Sequence, residues 1–288
     1  MPEPANFFRS LAGVPVLYDR LRPSDYGVRG DPHNFHVPPN FQEALEQAFA
    51  DLWEVCPLGP AQAILSAGTY ANRPPSQHAT GRAMDIDAIL WSERNFVTLN
   101  FPTDTVFYLA VESVLRRHFD FVLTYLYNDA HHDHFHVDQA GQVGFGKSRT
   151  KTNYVQAYCA HVLGLPTEVD GVWGPDTDEG LERAQSILQV PGDLRNLDRW
   201  KEFLRAAAVH AFEQALQVVD DDSNDAEVAA LNRAIEFGMA DHPLRKFALA
   251  RVAQLHQRLG ATPAAAPADE AAPPRPSRKR PPRSRNPG

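Results

Sequence analysis

The stretch Ala83-Met84-Asp85-Ile86-Asp87-Ala88-Ile89-Leu90 sets apolar Met84 and Ile86 in alternation with Asp85 and Asp87. Successive side chains of a strand point to opposite faces, so the segment reads as a strand with two unlike sides. One side packs and the other carries carboxylates. A chain with such a strand must build a sheet that keeps one face available for chemistry.

The segments around it fit that sheet. AILSAGTY is short, apolar and bounded by Gly, and reads as a strand leading into the loop ANRPPSQHATG. FQEALEQAFADLWEVC places Phe41, Leu45, Phe49 and Leu52 at helical spacing. PTDTVFYLAVESVLRRHF begins with Pro102 and Asp104 and sets Phe107, Ala110, Val111, Val114 and Leu115 on one side, as a helix on a sheet does. FDFVLTYLY is a β-rich run and HFHVD a further short strand, while residues 1 to about 40, rich in Pro, Asn, Asp and Gly, show no sustained period and predict irregular structure. Residues 1–145 therefore read as one α+β domain, a small antiparallel sheet with flanking helices.

Beyond it the pattern turns helical. KTNYVQAYCAHVLGL predicts a helix ending near Gly164, the loop TEVDGVWGPDT follows, and DEGLERAQSIL continues as a second helix. DRWKEFLRAAAVHAFEQALQVV, DAEVAALNRAIEFGMA and PLRKFALARVAQLHQRL extend an all-α region over residues 150–260. Residues 261–288, dominated by Pro, Ala and Arg, offer too little apolar surface to fold and predict a disordered basic tail.

Composition excludes some functions. The net charge of -8 argues against nucleic acid as a partner, because phosphate binding draws on clustered Lys and Arg. Cys56 and Cys159 are far apart and form no metal-type pair, although they can pair with each other. No run approaches the ~20 apolar residues of a spanning helix, so no membrane insertion is expected. The first twenty residues lack the basic start and apolar core of a conventional signal peptide.

Two histidine clusters carry the chemistry. His78 and Asp85 flank Gly81, so a loop can deliver the histidine and the next strand the aspartate. The run His131-His132-Asp133-His134-Phe135-His136 offers imidazoles two apart, and on a strand His134 and His136 share a face. A third ligand from this run completes a His, Asp, His set with one position left for water, as a catalytic zinc requires. Asp87 and Asp138 are expected to accept N–H groups of ligating histidines. Ser76 is expected to order the loop by a local hydrogen bond. Arg73 either binds a substrate carboxylate or the oxyanion by a bidentate contact, or is a solvated loop arginine.

SQHATGRAMDID followed by YNDAHHDHFHVD resembles the extensin-like branch of the zinc D-Ala-D-Ala peptidases, in the wider group with lysostaphin-type and hedgehog-type domains, over roughly residues 40 to 145. The resemblance implies a Zn2+ cofactor held by His78, Asp85 and His136. It implies Asp133 as the general base and His131 as the stabiliser of the oxyanion, with His134 at a position that some members also use in catalysis. Asp133 would point away from His134 and His136 in a regular strand, so that role requires an irregular chain just before His134.

VQAYCAHVLGLPTEVDGVWGPDTDEGLERAQSIL resembles a three-helix peptidoglycan-binding module, at about residues 150–195, whose mark D-G-x-x-G-x-x-T is Asp170 to Thr177 here. Each residue of the mark also has a structural reason: a tight Asp-Gly turn, Pro175 in a first helical turn, Trp173 packing on the bundle. Together the two resemblances imply a zinc peptidase of peptidoglycan stem peptides or cross-links, a D,D-endopeptidase or D,D-carboxypeptidase. Its partner is peptidoglycan and its place of action outside the cytoplasm. Without a signal peptide, that place fits an antibacterial effector delivered into a target cell, whose producer needs an immunity protein. A phage-type endolysin and a catalytically inactive zinc protein that binds the wall are the alternatives.

Overall fold

Pairing of short apolar strands builds the sheet, and the helices packed on it continue its core. The computed structural model describes residues 6–18, 33–92 and 94–217. The helical patterns expected at 225–240 and 243–259, and the tail at 261–288, lie outside the described residues.

Nine strands are present among the described residues: β1 (Asn6–Phe8), β2 (Ser10–Leu11), β3 (Val14–Tyr18), β4 (Phe35–Val37), β5 (Ala63–Gly68), β6 (Ala83–Leu90), β7 (Asn95–Val97), β8 (Phe121–Leu123) and β9 (Phe135–Asp138). Seven form one sheet in the order β2-β3-β5-β6-β9-β8, with β7 added alongside β6, while β1 and β4 pair separately. The α-helices are α1 (Pro39–Val55), α2 (Thr105–Arg116), α3 (Arg149–Ala157), α4 (Pro175–Ile187) and α5 (Leu197–Gln217). The architecture is α+β.

Three local expectations are corrected. The sheet is mixed, because β3 runs parallel to β5 while the other pairings are antiparallel. The stretch before residue 40 is not wholly irregular, since it supplies β1 to β4. These strands are two to five residues long and owe their order to pairing and to the burial of Val14, Val16, Phe35 and Val37, which no local period reveals. Of the β-rich run after Phe119 only β8 is strand; Thr124 closes a turn by accepting from the Tyr127 N–H at 2.8 Å.

The helix α2 sits between the sheet and the last helix. Phe107 meets Trp91 and Phe96 on the sheet side, each at 5.7 Å between ring centroids, and Phe212 of α5 at 5.0 Å on the other. Its apolar stripe covers more than half its circumference, so a second layer is required to bury it. The helical region provides that layer. Tyr154 of α3 lies 2.7 Å from Ser113 through its hydroxyl, and Arg116 donates to Thr150 O at 2.9 Å. Arg116 is itself paired with fully buried Glu112. On the outer side, Arg205 of α5 reaches Asp51 and Glu54 of α1.

One buried apolar cluster therefore runs from Phe8 to Phe212. The change near residues 145–150 is a change of secondary structure, while packing continues across it. Cys56 and Cys159 are free thiols, both buried, and burial pushes them up to about 11 and about 12.

Candidate metal centre

Asp85 and His136 are brought together by register. β6 and β9 pair antiparallel with Asp85 directly opposite His136, flanked by the pairs Met84 with Val137 and Ile86 with Phe135. Directly opposed residues share a face of the sheet, so the buried side chains of Met84, Ile86, Phe135 and Val137 lock the register that aims Asp85 and His136 at one point.

His78 arrives from the loop after β5. A 3-10 turn spans Gln77–Thr80, and the Ser76 hydroxyl accepts from the His78 N–H at 3.3 Å. Gly81 ends the turn with φ 68, and a Cβ there would lie 3.1 Å from His36 O, so both conformation and space require glycine. The chain then turns directly into β6.

The result is a triangle of ligand atoms. His78 Nε2, Asp85 Oδ1 and His136 Nδ1 stand 3.1 Å apart along all three edges. Among the described residues these three form a group whose ligand atoms all lie within 4.8 Å of one another. A tetrahedral zinc with bonds of about 2.1 Å separates its ligand atoms by about 3.4 Å, so this triangle is one slightly contracted face of such a tetrahedron. Two imidazoles and one carboxylate are also a donor set that zinc accepts. The residues fit the ion.

The electrostatics agree. Burial opposes the charge of Asp85, but hydrogen bonds from His136 and His78 outweigh it and hold the carboxyl far below its ordinary value. Burial likewise works against a charged His136, yet Asp138 and Asp85 raise it to about 9. The local field therefore favours positive charge at the triangle. Asp138 Oδ2 accepts from His136 Nε2 at 3.0 Å, which leaves Nδ1 to face the centre. Asp138 thus has the supporting role expected of it. Asp87 is buried too, and its carbonyl lies 2.8 Å from Thr98 Oγ1.

The remaining histidines surround the triangle. β9 begins only at Phe135, so Asp133 and His134 precede the strand in an irregular turn, as Asp133 requires to point inward. Asp133 Oδ1 accepts from His134 Nδ1 at 2.8 Å, and His134 Nε2 stands 3.5 Å from Asp85 Oδ1. The expected general base is thus seated against His134, and it is the far nitrogen of His134 that faces the ligands. Thr98 Oγ1 lies 2.6 Å from Asp133 O and holds this turn to β6.

His131 packs its ring 5.2 Å from His134 and 5.8 Å from His136. Its Nδ1 donates to Asn128 Oδ1 at 2.7 Å, the same oxygen that accepts from the Ala130 N–H. Burial, followed by the neighbouring His134 and His136, lowers it to about 4. This environment favours the neutral ring over the cationic donor expected of an oxyanion stabiliser. Arg73 is exposed on the loop and makes no side-chain hydrogen bond to a described residue. His132 is exposed, with Nδ1 2.5 Å from Asp129 O. Asn128 and Tyr127 are the residues the sequence reading missed; an Asn three residues before a histidine, in position to cap it, was the available signal.

The second motif is spent on structure. Asp170 Oδ1 accepts from the Val172 N–H and from Gln156 Nε2, each at 2.8 Å, and the Gly171 N–H donates to Gln156 Oε1 at 2.9 Å. Gln156 also reaches Thr177 Oγ1 at 3.1 Å, Pro175 opens α4, and Trp173 donates to Asp178 at 2.7 Å.

Residues 65–149 match the family model described as extensin-like protein C-terminus, a span that contains both histidine clusters. No curated protein and no solved structure matches the chain.

Proposed function

We propose that this chain is a zinc-dependent peptidase that hydrolyses amide bonds in the stem peptides or cross-links of peptidoglycan. The observation that carries the reading is the triangle of His78, Asp85 and His136 with the Asp133–His134 pair directed at it. A bound zinc supplies Lewis acidity, polarising the scissile carbonyl and acidifying water at neutral pH.

The chain's own groups supply the rest. Asp133 fixes the tautomer of His134, so that Nε2 presents its lone pair to the reacting side. His134 Nε2 takes the proton from the attacking water and returns it to the leaving amine. His131, its ring held by Asn128 beside His134 and His136, lies on the side of the carbonyl oxygen, where it stabilises the developing negative charge once a solvent proton has reached its Nε2. His136 is kept in its ligating tautomer by Asp138.

The substrate assignment is supported by the resemblance of the two clusters to the D-Ala-D-Ala peptidases and by the D-G-x-x-G-x-x-T turn. Wall binding by the module that this turn marks, at about residues 150–195, is part of the same proposal. Action outside the cytoplasm follows from the proposed substrate, and delivery as an antibacterial effector, with an immunity protein as partner, belongs to the same proposal. Among the described residues no helix is long and apolar enough to cross a membrane.

The test is incubation of the purified, zinc-loaded protein with peptidoglycan, with product masses as the readout. New free amino and carboxyl ends within cross-links indicate an endopeptidase, and loss of a terminal D-alanine indicates a carboxypeptidase. A zinc-loaded protein that leaves every peptide intact sinks the enzyme reading and supports a wall-binding zinc protein.

A further inference from the structure

Beside the metal centre stands a second polar feature whose charged end has no ion partner among the described residues. Arg149 opens α3 and is exposed, and among the described residues it makes no ion pair or hydrogen bond through its side chain. Its guanidinium lies 5.9 Å from the ring centroid of Tyr127. Tyr127 in turn packs edge-on against His131 at 5.5 Å, and His131 packs against His136 at 5.8 Å. A line of rings thus leads from a metal ligand to a free cation contributed by the helical region.

That position is built. Asn153, one turn further along α3, donates to Leu126 O at 2.9 Å and pins the segment that carries Tyr127. A Cβ on Gly171 would stand 2.5 Å from Asn153 Oδ1 and 3.2 Å from Arg149 Cγ, so the Asp170-Gly171 turn is seated directly on these two side chains. Gln156 binds both Asp170 and the Gly171 N–H and fixes the turn from below. The other cations near this part of the fold are committed: Lys147 to Asp178, Lys151 to Asp120, and Arg116 to Glu112.

We infer that Tyr127 and Arg149 form a subsite for a carboxylate-bearing residue of a peptide, placed beyond His131 from the metal centre. An arginine held over an aromatic face keeps its fork of N–H donors free for a planar carboxylate. The aromatic ring offers the adjoining apolar part of the ligand a surface. The inference deepens the peptidase reading and rests on it for the identity of the ligand: an acidic peptide bound across the boundary between sheet and helices. It gives the helical region a part in recognition that does not depend on wall binding by the module that the D-G-x-x-G-x-x-T turn marks.

The experiment is calorimetric titration of the full-length, chelator-treated protein with two probes, so that turnover cannot intrude. One is a stem peptide with a free side-chain carboxylate and the other is the same peptide amidated at that carboxylate. Arg149→Ala should weaken binding of the acidic peptide by about tenfold and leave the amidated peptide unchanged, since a charge-assisted contact is lost from one probe only. Arg149→Lys should recover part of the loss, as a point charge without the fork. Equal affinity of wild type and Arg149→Ala for the acidic peptide overturns the subsite, as does wild-type protein that fails to bind it. A protein that discriminates the two probes through Arg149 but never cuts either with zinc restored keeps the subsite and loses the peptidase reading.

Discussion

The triangle at His78, Asp85 and His136 and the turn at Asp170–Thr177 are both dense in polar side chains, yet they use them in opposite ways. Around the turn, Asp170, Gln156 and Thr177 bond one another and nearby backbone groups, so each of these side chains has a partner that explains it. At the triangle, three ligand atoms converge on one point and the groups behind them, Asp138 and Asp133, are spent on holding imidazoles in place. Polar residues that point at backbone build a fold. Ligand atoms that converge on one another at 3.1 Å make a place that a cation fits.

Several perturbations break or sharpen that contrast. The largest effect is expected from ending the chain after Ser148. This removes the layer that buries Phe107 and leaves the Glu112–Arg116 pair without α3, so the truncated protein should show no cooperative thermal transition. A truncated protein that melts like the full chain would mean the helical region is separable after all.

Asp85→Asn should abolish stoichiometric zinc, measured by metal analysis after dialysis, because it removes the one anionic ligand of the triangle. The fold should persist, since buried Met84 and Ile86 hold β6 in place. His134→Gln should retain zinc and lower turnover by about 10²–10⁴-fold. Asp133→Asn should do so less, because it disturbs only the tautomer. If Asp133→Asn is the more damaging and His134→Gln is mild, Asp133 acts on the substrate directly.

Gly171→Ala should cost about 1–3 kcal/mol in thermal or denaturant melts, from the positive φ and the clash with Asn153. Zinc stoichiometry should be unaffected, and that separation of stability from chemistry is what the contrast predicts.

The smallest effect concerns pH. Burial opposes the charge on Asp51, but His118 and Arg117 outweigh it and hold its carboxyl below the ordinary value. Its contribution is therefore complete above the unfolded-state pKa near 3.8 and is lost as pH falls through the lower folded value. Asp51→Asn should flatten that part of the melting-temperature profile in acid and leave zinc affinity alone.

Much of the site was legible because its parts are local. Ser76, His78 and Gly81 lie in one short loop, and His134 and His136 are two apart at the mouth of a strand, so their spacing already speaks of a common face. The helices α1 and α2 were legible from period, although only α1 buries a single stripe while α2 is buried on all sides from Phe107 to Arg116. The strands β1 to β4 were not, because segments of two to five residues carry no period of their own and are ordered by partners elsewhere in the chain. The placement of Asp133 was half legible. That the chain must bend before His134 follows from strand geometry, but the seat of the carboxylate against His134 does not.

By itself the sequence supplied a candidate donor set, His78 and Asp85 with a third ligand from the His131–His136 run, and the alternation that puts Asp85 and Asp87 on one face of β6. Tertiary structure alone decided that Asp85 stands opposite His136, fifty-one positions away, in one register out of several. It alone decided that the helices continue the core of the sheet and bring Arg149 to the rim of the site. The physical reason is one of range. Alternation, caps and turns act over a few residues, whereas register and layer packing are settled by apolar surfaces that meet only when the whole chain has closed.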